Sequence, residues 1–198
     1  MSKRFIVAIG REFGSGGKHI GRALAAELGV KLYDRNIVEG VAEKLEIEAE
    51  QIEPYALQKK RSFFHRSVKG HTTSIEDHVA EMQFDYIRRL GESDESFVIV
   101  GRCAEEVLKD TEGLITIFIK GDREYKIERV MKQFGLDRAE AILKMDRHDR
   151  TRKFYHDRYC KGKWGQMDAY DLCIDSTHLK TEGTAELIKE YVKKRIEA

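Results

Sequence analysis

The sequence contains few of the residues that cross-link a chain or interrupt its helices. Among its 198 residues there are only three cysteines and one proline. An odd number of widely spaced cysteines predicts reduced cytosolic thiols, in place of a disulfide framework or a zinc site. A single proline is consistent with long helices. The cysteines are Cys103, Cys160 and Cys173.

Long apolar runs and an excess of one charge are missing too. No apolar run approaches the ~20 residues that a transmembrane helix needs, so no membrane-spanning helix is predicted. Residues 1–4 lead directly into a strand-like run without the hydrophobic stretch of a secretory signal, so we expect a cytoplasmic protein. A net charge of +1 gives the molecule no strong overall field for nucleic acid or an anionic membrane.

Short apolar runs alternate with helical patterns along the chain. Runs that are apolar throughout are typical of strands buried on both faces of a sheet. Their alternation with helices predicts an α/β fold, in which helices cover both faces of a parallel sheet. The predicted strands are Phe5–Ile9, Lys31–Tyr33, Phe97–Val100, Leu114–Ile119 and Leu172–Ile174.

Two regions depart from this alternation. Residues 36–94 contain no strand pattern. They are predicted to form helices over Ile37–Leu45, about Ile52–Lys69, and Ile75–Leu90. Residues 146–168 are rich in arginine, lysine, tyrosine and glycine. The length and the 41% hydrophobic content fit one domain with insertions.

The first apolar run ends in a glycine-rich loop that is followed by a helical pattern. Glycines leave backbone N–H groups open, and at the start of a helix such groups bind anions, typically phosphate. Lys18 is placed to add a positive charge there. An ordinary strand-to-helix turn with spare glycines is the alternative. The predicted phosphate-binding residues are Glu12, Phe13, Gly14, Ser15, Gly16, Gly17, Lys18 and His19.

The loop matches the usual phosphate-loop pattern, G-x-x-x-x-G-K-[ST], imperfectly. Counting back from Lys18 places Glu12 at the first glycine and His19 at the Ser/Thr position. An alignment on Gly14-Ser15-Gly16 places Gly17 at the lysine position and shifts Lys18 by one. The sequence leaves both alignments open.

Further candidates follow other predicted strands. Ligands of open parallel sheets bind beyond the carboxyl ends of the strands. Asp34 and Arg35 follow the second strand, and Arg102 follows the third. The alternative for Asp34 is the N-cap of the next helix, and the alternative for Arg102 is a surface turn.

The arginine-rich region offers cations for a multiply charged phosphate. Arg147 and Arg150 are three residues apart and share a helical face, whereas Arg150 and Arg152 do not. An arginine-bearing lid that closes over a phosphate would position it and exclude water. A solvated helix with Asp–Arg pairs is the alternative.

A second basic segment, residues 59–71, interleaves cations with aromatic residues. It fits single-stranded nucleic acid or, as the preferred alternative, a helix with packed phenylalanines and solvated cations. The near-neutral net charge argues against a nucleic-acid partner. The histidines have no paired spacing of the zinc type, so no metal ligands are predicted among them.

In their order along the chain, these pieces resemble the cytidylate kinase-like family, a branch of the P-loop nucleoside monophosphate kinases. The resemblance covers nearly the whole chain. The matching segments are Ile9–Lys18, Leu32–Asp34, Ile99–Arg102, Asp149–Arg152 and Tyr170–Thr177.

The resemblance implies a three-layer α/β/α P-loop NTPase fold, with a five-stranded parallel sheet in one kinase domain. A helical insertion that binds the nucleoside monophosphate is expected at about 36–94, and an Arg-rich lid at about 146–166. The expected core consists of residues 1–35, 95–145 and 167–198.

The same resemblance implies ATP-dependent phosphoryl transfer to a nucleoside monophosphate, CMP or dCMP, giving ADP and the diphosphate. Residues 12–18 would hold the ATP phosphates, which Mg²⁺ would bridge. Asp34, Arg35 and Arg102 would bind the acceptor. The implied catalytic residues are Lys18, Arg147, Arg150 and Arg152.

Several positions depart from the family pattern. Val100 stands where well-studied members carry an aspartate, and Gly17-Lys18-His19 stand where they carry Lys-Gly-Thr. Gly40 replaces an arginine of the acceptor helix. The alternative function is therefore a nucleotide-binding regulator, or a kinase-like protein with weak or different activity.

Overall fold

The computed structural model describes residues 3–34, 66–68, 71–73 and 75–198. The chain forms two compact units. Unit 1 comprises Met1–Asp34 and Asp94–Ala198, and unit 2 comprises Arg35–Ser93.

The secondary structure follows the predicted alternation. The strands are β1 (Ile6–Arg11), β2 (Lys31–Tyr33), β3 (Arg66–Val68), β4 (His71–Thr73), β5 (Phe97–Val100), β6 (Leu114–Lys120) and β7 (Leu172–Asp175). The helices are α1 (Gly17–Leu28), α2 (Ile75–Gly91), α3 (Ala104–Val107), α4 (Arg123–Phe134), α5 (Arg138–Tyr159) and α6 (Lys180–Glu197). Among the described residues, none of these helices combines the length and the apolar character that crossing a bilayer requires.

All the predicted strands are present, and they form one five-stranded parallel sheet in unit 1. The strand order is β2-β5-β1-β6-β7. The central strand β1 pairs with β5 and β6 on its two sides, where Val7 lies opposite Val98 and Ile115. Because the strands are parallel, the carboxyl ends of β1, β2 and β5 lie together at one end of the sheet. The glycine loop, Asp34 and Arg102 follow these ends directly.

Both faces of the sheet are buried, as its apolar strands predict. Alternate residues of a strand point to opposite faces. Val7 and Ile9 belong to a core cluster that includes residues of α1 and α6. Ile6 and Ala8 point the other way and are fully buried as well. The sheet is therefore the middle layer of a three-layer α/β/α fold.

Unit 2 confirms one prediction and contradicts another. α2 confirms the helix predicted over Ile75–Leu90. β3 and β4 pair as an antiparallel hairpin, so the helix predicted over Ile52–Lys69 is wrong at its carboxyl end. Both strands carry β-branched residues on either side of Gly70, and such residues favour strands. The predicted helix Ile37–Leu45, residues 52–65 and most of the basic segment 59–71 lie outside the described residues.

Helix α5 begins at a capping box and continues without interruption. The Glu140 N–H donates to Asp137 Oδ1 (2.8 Å), and the Asp137 N–H donates to Glu140 Oε2 (3.0 Å). The helix then runs from Arg138 to Tyr159. The segment predicted as a lid, 146–166, therefore starts inside α5. Its role as a lid stays a prediction.

We expect the buried sheet to dominate stability. Ile117, on β6, is fully buried, so Ile117→Ala should lower the free energy of unfolding by about 2–5 kcal/mol. Leu143→Ala is the control, because this side chain on α5 is 69% exposed and its loss should cost less than about 0.5 kcal/mol. Urea unfolding followed by circular dichroism measures both changes. Equal losses would contradict the layered core.

Candidate active site

The glycine loop between β1 and α1 has a backbone that only glycine adopts easily. Gly14 and Gly16 have φ angles of 84° and 83°, in the left-handed region that side chains disfavour. Gly16 is also the N-cap of α1, so the loop presents its amides at a helix N-terminus. This is the local geometry that binds phosphate.

Ser15 holds the loop in shape from inside. It is fully buried, and its Oγ donates a hydrogen bond to the Glu12 carbonyl at 2.9 Å. Its own carbonyl accepts a hydrogen bond from Ser176 Oγ at 2.7 Å. Ser15 is therefore a positioning residue, and the loop is preorganised before any ligand arrives.

Glu12 ties the loop to α4. Its Oε2 accepts a hydrogen bond from Lys126 Nζ at 2.6 Å and another from the Gly121 N–H at 3.3 Å. The lysine offsets a carboxylate that would otherwise repel a phosphate at the loop. The carboxylate of Glu12 is thus engaged by α4 and by the Gly121 N–H, and its phosphate-binding role stays a prediction.

Phe13 joins the loop to α5. Its backbone N–H donates to Asp149 Oδ1 at 2.7 Å, and its ring stacks on His148 with centroids 4.3 Å apart. Arg152, one helical turn beyond Asp149, donates from Nη1 to the Arg11 carbonyl at 3.3 Å. These contacts place the guanidinium of Arg152 beside the glycine loop.

Arg11 is a site residue that the sequence reasoning missed. A Cβ added at Gly17 would lie 2.6 Å from Arg11 Cβ, so the arginine occupies the space that a side chain at position 17 needs. Its guanidinium lies against Gly101, where an added Cβ would collide with Nη1. The alignment that puts Gly17 at the lysine position also puts Arg11 at the first glycine. This alignment was the feature of the sequence that could have identified Arg11 as a site residue.

The guanidinium groups of Arg11, Arg102 and Arg152 lie close enough to influence one another's charge near Asp34, at the end of the sheet. Burial and the charges of Arg152 and Arg102 lower the pKa of Arg11 to about 9, while Asp34 opposes this shift. Burial also lowers the pKa of Arg152, and Asp149 and Asp34 oppose that shift. Arg102 has a φ of 62° in the turn after β5. The tertiary structure thus brings Arg102 and Arg152 near Arg11, while the functional roles of Asp34, Arg102 and Arg152 stay predictions.

Lys18 points towards Asp34, which follows the end of β2. Its Nζ lies 2.7 Å from Asp34 Oδ2, and its side chain is 51% exposed. This pairing favours the alignment in which Lys18 is shifted by one from the usual lysine position. His19 lies in the first turn of α1, and burial together with Arg129 lowers its pKa.

Arg129 of α4 is a second residue that the sequence reasoning missed. A Cβ added at Gly16 would lie 3.1 Å from Arg129 Nη2, so this cation lies directly over the N-terminus of α1. Its buried Nε has no hydrogen-bond partner within the described structure. A buried, unpaired donor at an anion-binding loop is suited to a phosphate oxygen.

Two other predicted arginines lie on the solvent side of α5. Arg147 and Arg150 are exposed there, whereas Arg152 contacts the loop through the Arg11 carbonyl. Arg35 lies outside the described residues. A cavity of about 450 Å³ lies at the opposite end of the sheet, lined by residues such as Phe5 and Leu114, far from the glycine loop.

The described side chains do not form a Mg²⁺ site. Val100, at the position of the family's aspartate, is apolar and buried. The nearby carboxylates are engaged, because Asp34 pairs with Lys18 and Glu12 pairs with Lys126. A magnesium ion here would be held by substrate phosphates and water.

The buried carboxyl of Asp149 should make stability depend on pH. Burial raises its pKa from 3.8 to about 6, so the folded state holds this proton more tightly than the unfolded state. The resulting stabilisation is complete below about pH 3.8 and is lost as the pH rises through about 6. We expect the stability of the wild type relative to Asp149→Asn to fall by up to about 3 kcal/mol over this range.

Urea unfolding of both proteins at a series of pH values measures this difference. The asparagine keeps an oxygen that can accept from the Phe13 N–H, so the variant isolates the ionisation. Parallel stability profiles for the two proteins would show that Asp149 titrates normally.

Comparisons with known proteins agree with this geometry. Residues 6–178 match the model of the cytidylate kinase-like family. No curated protein matches the chain. Among solved structures, the chain is similar to an uncharacterized protein from Eubacterium ventriosum ATCC 27560, at 34% identity and a TM-score of 0.76, over 97% of this chain and 100% of that chain.

Shikimate kinases share the fold at much lower identity. The enzyme from Bacteroides thetaiotaomicron is 14% identical, with a TM-score of 0.58 over 96% of this chain and 98% of that chain. The enzyme from Acinetobacter baumannii, in complex with shikimate, is 12% identical, with a TM-score of 0.56 over 98% of this chain and 96% of that chain. The family match covers most of the chain and includes the glycine loop, Arg102 and Arg152. The chain therefore belongs to the cytidylate kinase-like family and has the fold of a P-loop kinase.

Proposed function

We propose that the protein is an ATP-dependent kinase whose acceptor is a nucleoside monophosphate, CMP or dCMP, with ADP and the diphosphate as products. The observation that carries the proposal is the cluster of Arg11, Arg102 and Arg152 around Asp34, beside a preorganised glycine loop. Membership of the cytidylate kinase-like family supports a phosphotransferase, and the choice of CMP or dCMP rests on that membership.

The glycine loop and the arginine cluster divide the work of phosphoryl transfer. The loop amides at the start of α1, together with Arg129, would bind the phosphates of the donor. The guanidinium groups of Arg11, Arg102 and Arg152 would bind the acceptor phosphate and the transferring group. Positioning and neutralisation of charge are the main contributions that a protein makes to this reaction.

Arg11 takes the place of the lysine that a phosphate loop usually carries. Its side chain fills the space above Gly17, where that lysine would start. With a pKa of about 9 it is still protonated at neutral pH, although burial and neighbouring arginines lower that value. A planar guanidinium can also contact two phosphate oxygens at once, which an ammonium group does less well.

Helix α5 supplies both a cation and a cover for the loop. Asp149 and Arg152 dock the helix on Phe13 and Arg11 through the contacts at 2.7 and 3.3 Å. In this arrangement the helix shields one side of the loop from water, which strengthens each charge contact with a bound phosphate. Arg147 and Arg150 are exposed on the same helix and would reach a phosphate only if α5 or the ligand shifts.

A nucleotide-binding regulator is the second candidate function. The described residues offer no carboxylate at Val100 and no hydroxyl at His19 for Mg²⁺. Such a protein would bind ATP tightly and turn it over slowly. Measurements of binding and turnover together distinguish the two functions.

Kinase activity is tested by following ADP release from ATP and Mg²⁺ with a panel of nucleoside monophosphates. We expect acceptor-dependent release that is fastest with CMP or dCMP. Arg152→Ala should lower kcat/KM by about 100-fold or more, or ~2.7 kcal/mol, because it removes a buried cation from the cluster. Arg138→Ala is the control, since this arginine begins the same helix but is exposed and pairs with Glu124.

Three other results would count against this proposal. Tight ATP binding without acceptor-dependent turnover would support the regulator. Failure to bind ATP or inorganic phosphate would remove both functions. Equal effects of Arg152→Ala and Arg138→Ala would show that the arginine cluster is not the site of transfer.

The role of Arg11 is tested by moving the cationic side chain from position 11 to position 17. Arg11→Ala should reduce turnover about 100-fold or more, because the loop then lacks its buried cation. Gly17→Lys alone should be destabilised, since its Cβ would lie 2.6 Å from Arg11 Cβ. The double variant Arg11→Gly with Gly17→Lys restores the first glycine and the lysine of the usual phosphate-loop pattern and should recover activity above that of Arg11→Ala.

Thermal unfolding of each variant separates loss of fold from loss of charge. A double variant that folds as stably as the wild type but remains as inactive as Arg11→Ala would show that Arg11 does not replace the lysine.

A further inference from the structure

Two short segments outside the glycine loop each carry two metal-ligand side chains. Cys103 and Glu105 lie at the start of α3, and His156 and Cys160 lie at the end of α5. The second pair has a spacing of four residues, which places both side chains on one side of a helix turn. None of these residues belongs to the glycine loop or the arginine cluster.

The fold brings three of these side chains together and places the fourth beside them. His156 Nε2 lies 2.9 Å from Glu105 Oε1. The ligand atoms of Glu105, His156 and Cys160 all lie within 4.8 Å of one another. Cys103 lies outside this set of three, and its thiol contacts the Cys160 thiol. Thiols, an imidazole and a carboxylate are all ligands that zinc accepts.

This cluster is sealed except on one side. The side chains of His156 and Glu105 are only 6% and 9% exposed. Cys103 is buried as well, while Cys160 is partly exposed. A metal ion could therefore reach the cluster past Cys160 and would then be enclosed by the other donors.

Hydrogen bonds outside the cluster fix the two segments relative to each other. The Lys161 N–H donates to Glu106 Oε2 at 3.1 Å and links the residue after Cys160 to the residue after Glu105. His156 Nδ1 is buried without a hydrogen-bond partner and faces Asp157 Oδ1 at 3.6 Å. A carboxylate beside the distal nitrogen of a histidine is a common support for a metal-bound imidazole.

We propose that Cys103, Glu105, His156 and Cys160 form a tetrahedral Zn²⁺ site. The thiolate and imidazole donors select zinc over Mg²⁺ or Ca²⁺, which prefer oxygen ligands. Binding releases the protons of both thiols and of the imidazolium, and leaves the carboxylate as the fourth ligand. With all four positions taken by protein, the site is structural.

A metal ion here would join the two elements that carry the active-site arginines. Cys103 directly follows Arg102, and Cys160 ends the helix that carries Arg152. Cross-linking these elements would hold Arg102 and Arg152 in position even when the arginine cluster is empty. The site does not depend on the identity of the acceptor or on turnover.

The test is metal analysis of the full-length protein, produced without a metal-binding tag and with zinc in the medium. We expect about one zinc per chain by mass spectrometry. Cys160→Ser and His156→Gln should weaken Zn²⁺ binding at least tenfold in a competition titration with a chromogenic chelator. Cys173→Ser is the control, because this cysteine lies on β7 outside the cluster.

Two measurements on the wild type keep the test independent of variant stability. In the folded protein, zinc should protect Cys103 and Cys160 from alkylation. It should leave the reactivity of Cys173 unchanged. Cobalt added to the metal-free protein should give the visible absorption of a tetrahedral thiolate site, which Cys160→Ser should abolish.

Other outcomes would overturn the proposal. They are a metal-free protein that binds neither zinc nor cobalt, equal losses of zinc in Cys160→Ser and Cys173→Ser, or a Cys103–Cys160 disulfide that forms in air and that zinc does not prevent. The last result would assign the pair to redox chemistry.

Discussion

The docking of helix α5 on the glycine loop is the contact on which the site depends. Asp149 accepts the Phe13 N–H at 2.7 Å, and Arg152 donates to the Arg11 carbonyl at 3.3 Å. One helix thus fixes the shape of the loop and places a cation beside it. The cost is a buried carboxyl, since desolvation raises the pKa of Asp149 to about 6. The neighbouring Arg152 and Lys126 offset part of that cost.

The unusual phosphate loop is understandable as an exchange of two positions. The usual loop has a glycine at its start and a lysine near the helix, and this chain has Arg11 and Gly17 there. Both arrangements place one long cationic side chain over the loop. The space above position 17 has room for only one such side chain, and here Arg11 occupies it. Arg129 adds a second cation at the helix N-terminus from α4. The total positive charge at the loop is therefore kept while its source along the chain changes.

The sequence predicted the sheet well because its strands are short, apolar and buried on both faces. It failed at β3 and β4, because strands of only three residues are too short to show a clear strand pattern. It also missed Arg11 and Arg129. Arg11 precedes the motif that draws attention, and Arg129 is distant in sequence and reaches Gly16 only because α4 packs beside the loop.

By itself, the sequence determined the five strands of the parallel sheet, the glycine-rich loop before α1, and the arginines that follow strand ends. These are local properties, set by periodicity and by the conformations each residue allows. The tertiary structure alone decided that Arg152 reaches the loop, and that Cys103 meets Cys160. Such contacts depend on how helices pack against a sheet. They join residues far apart along the chain, so no local sequence pattern indicates them.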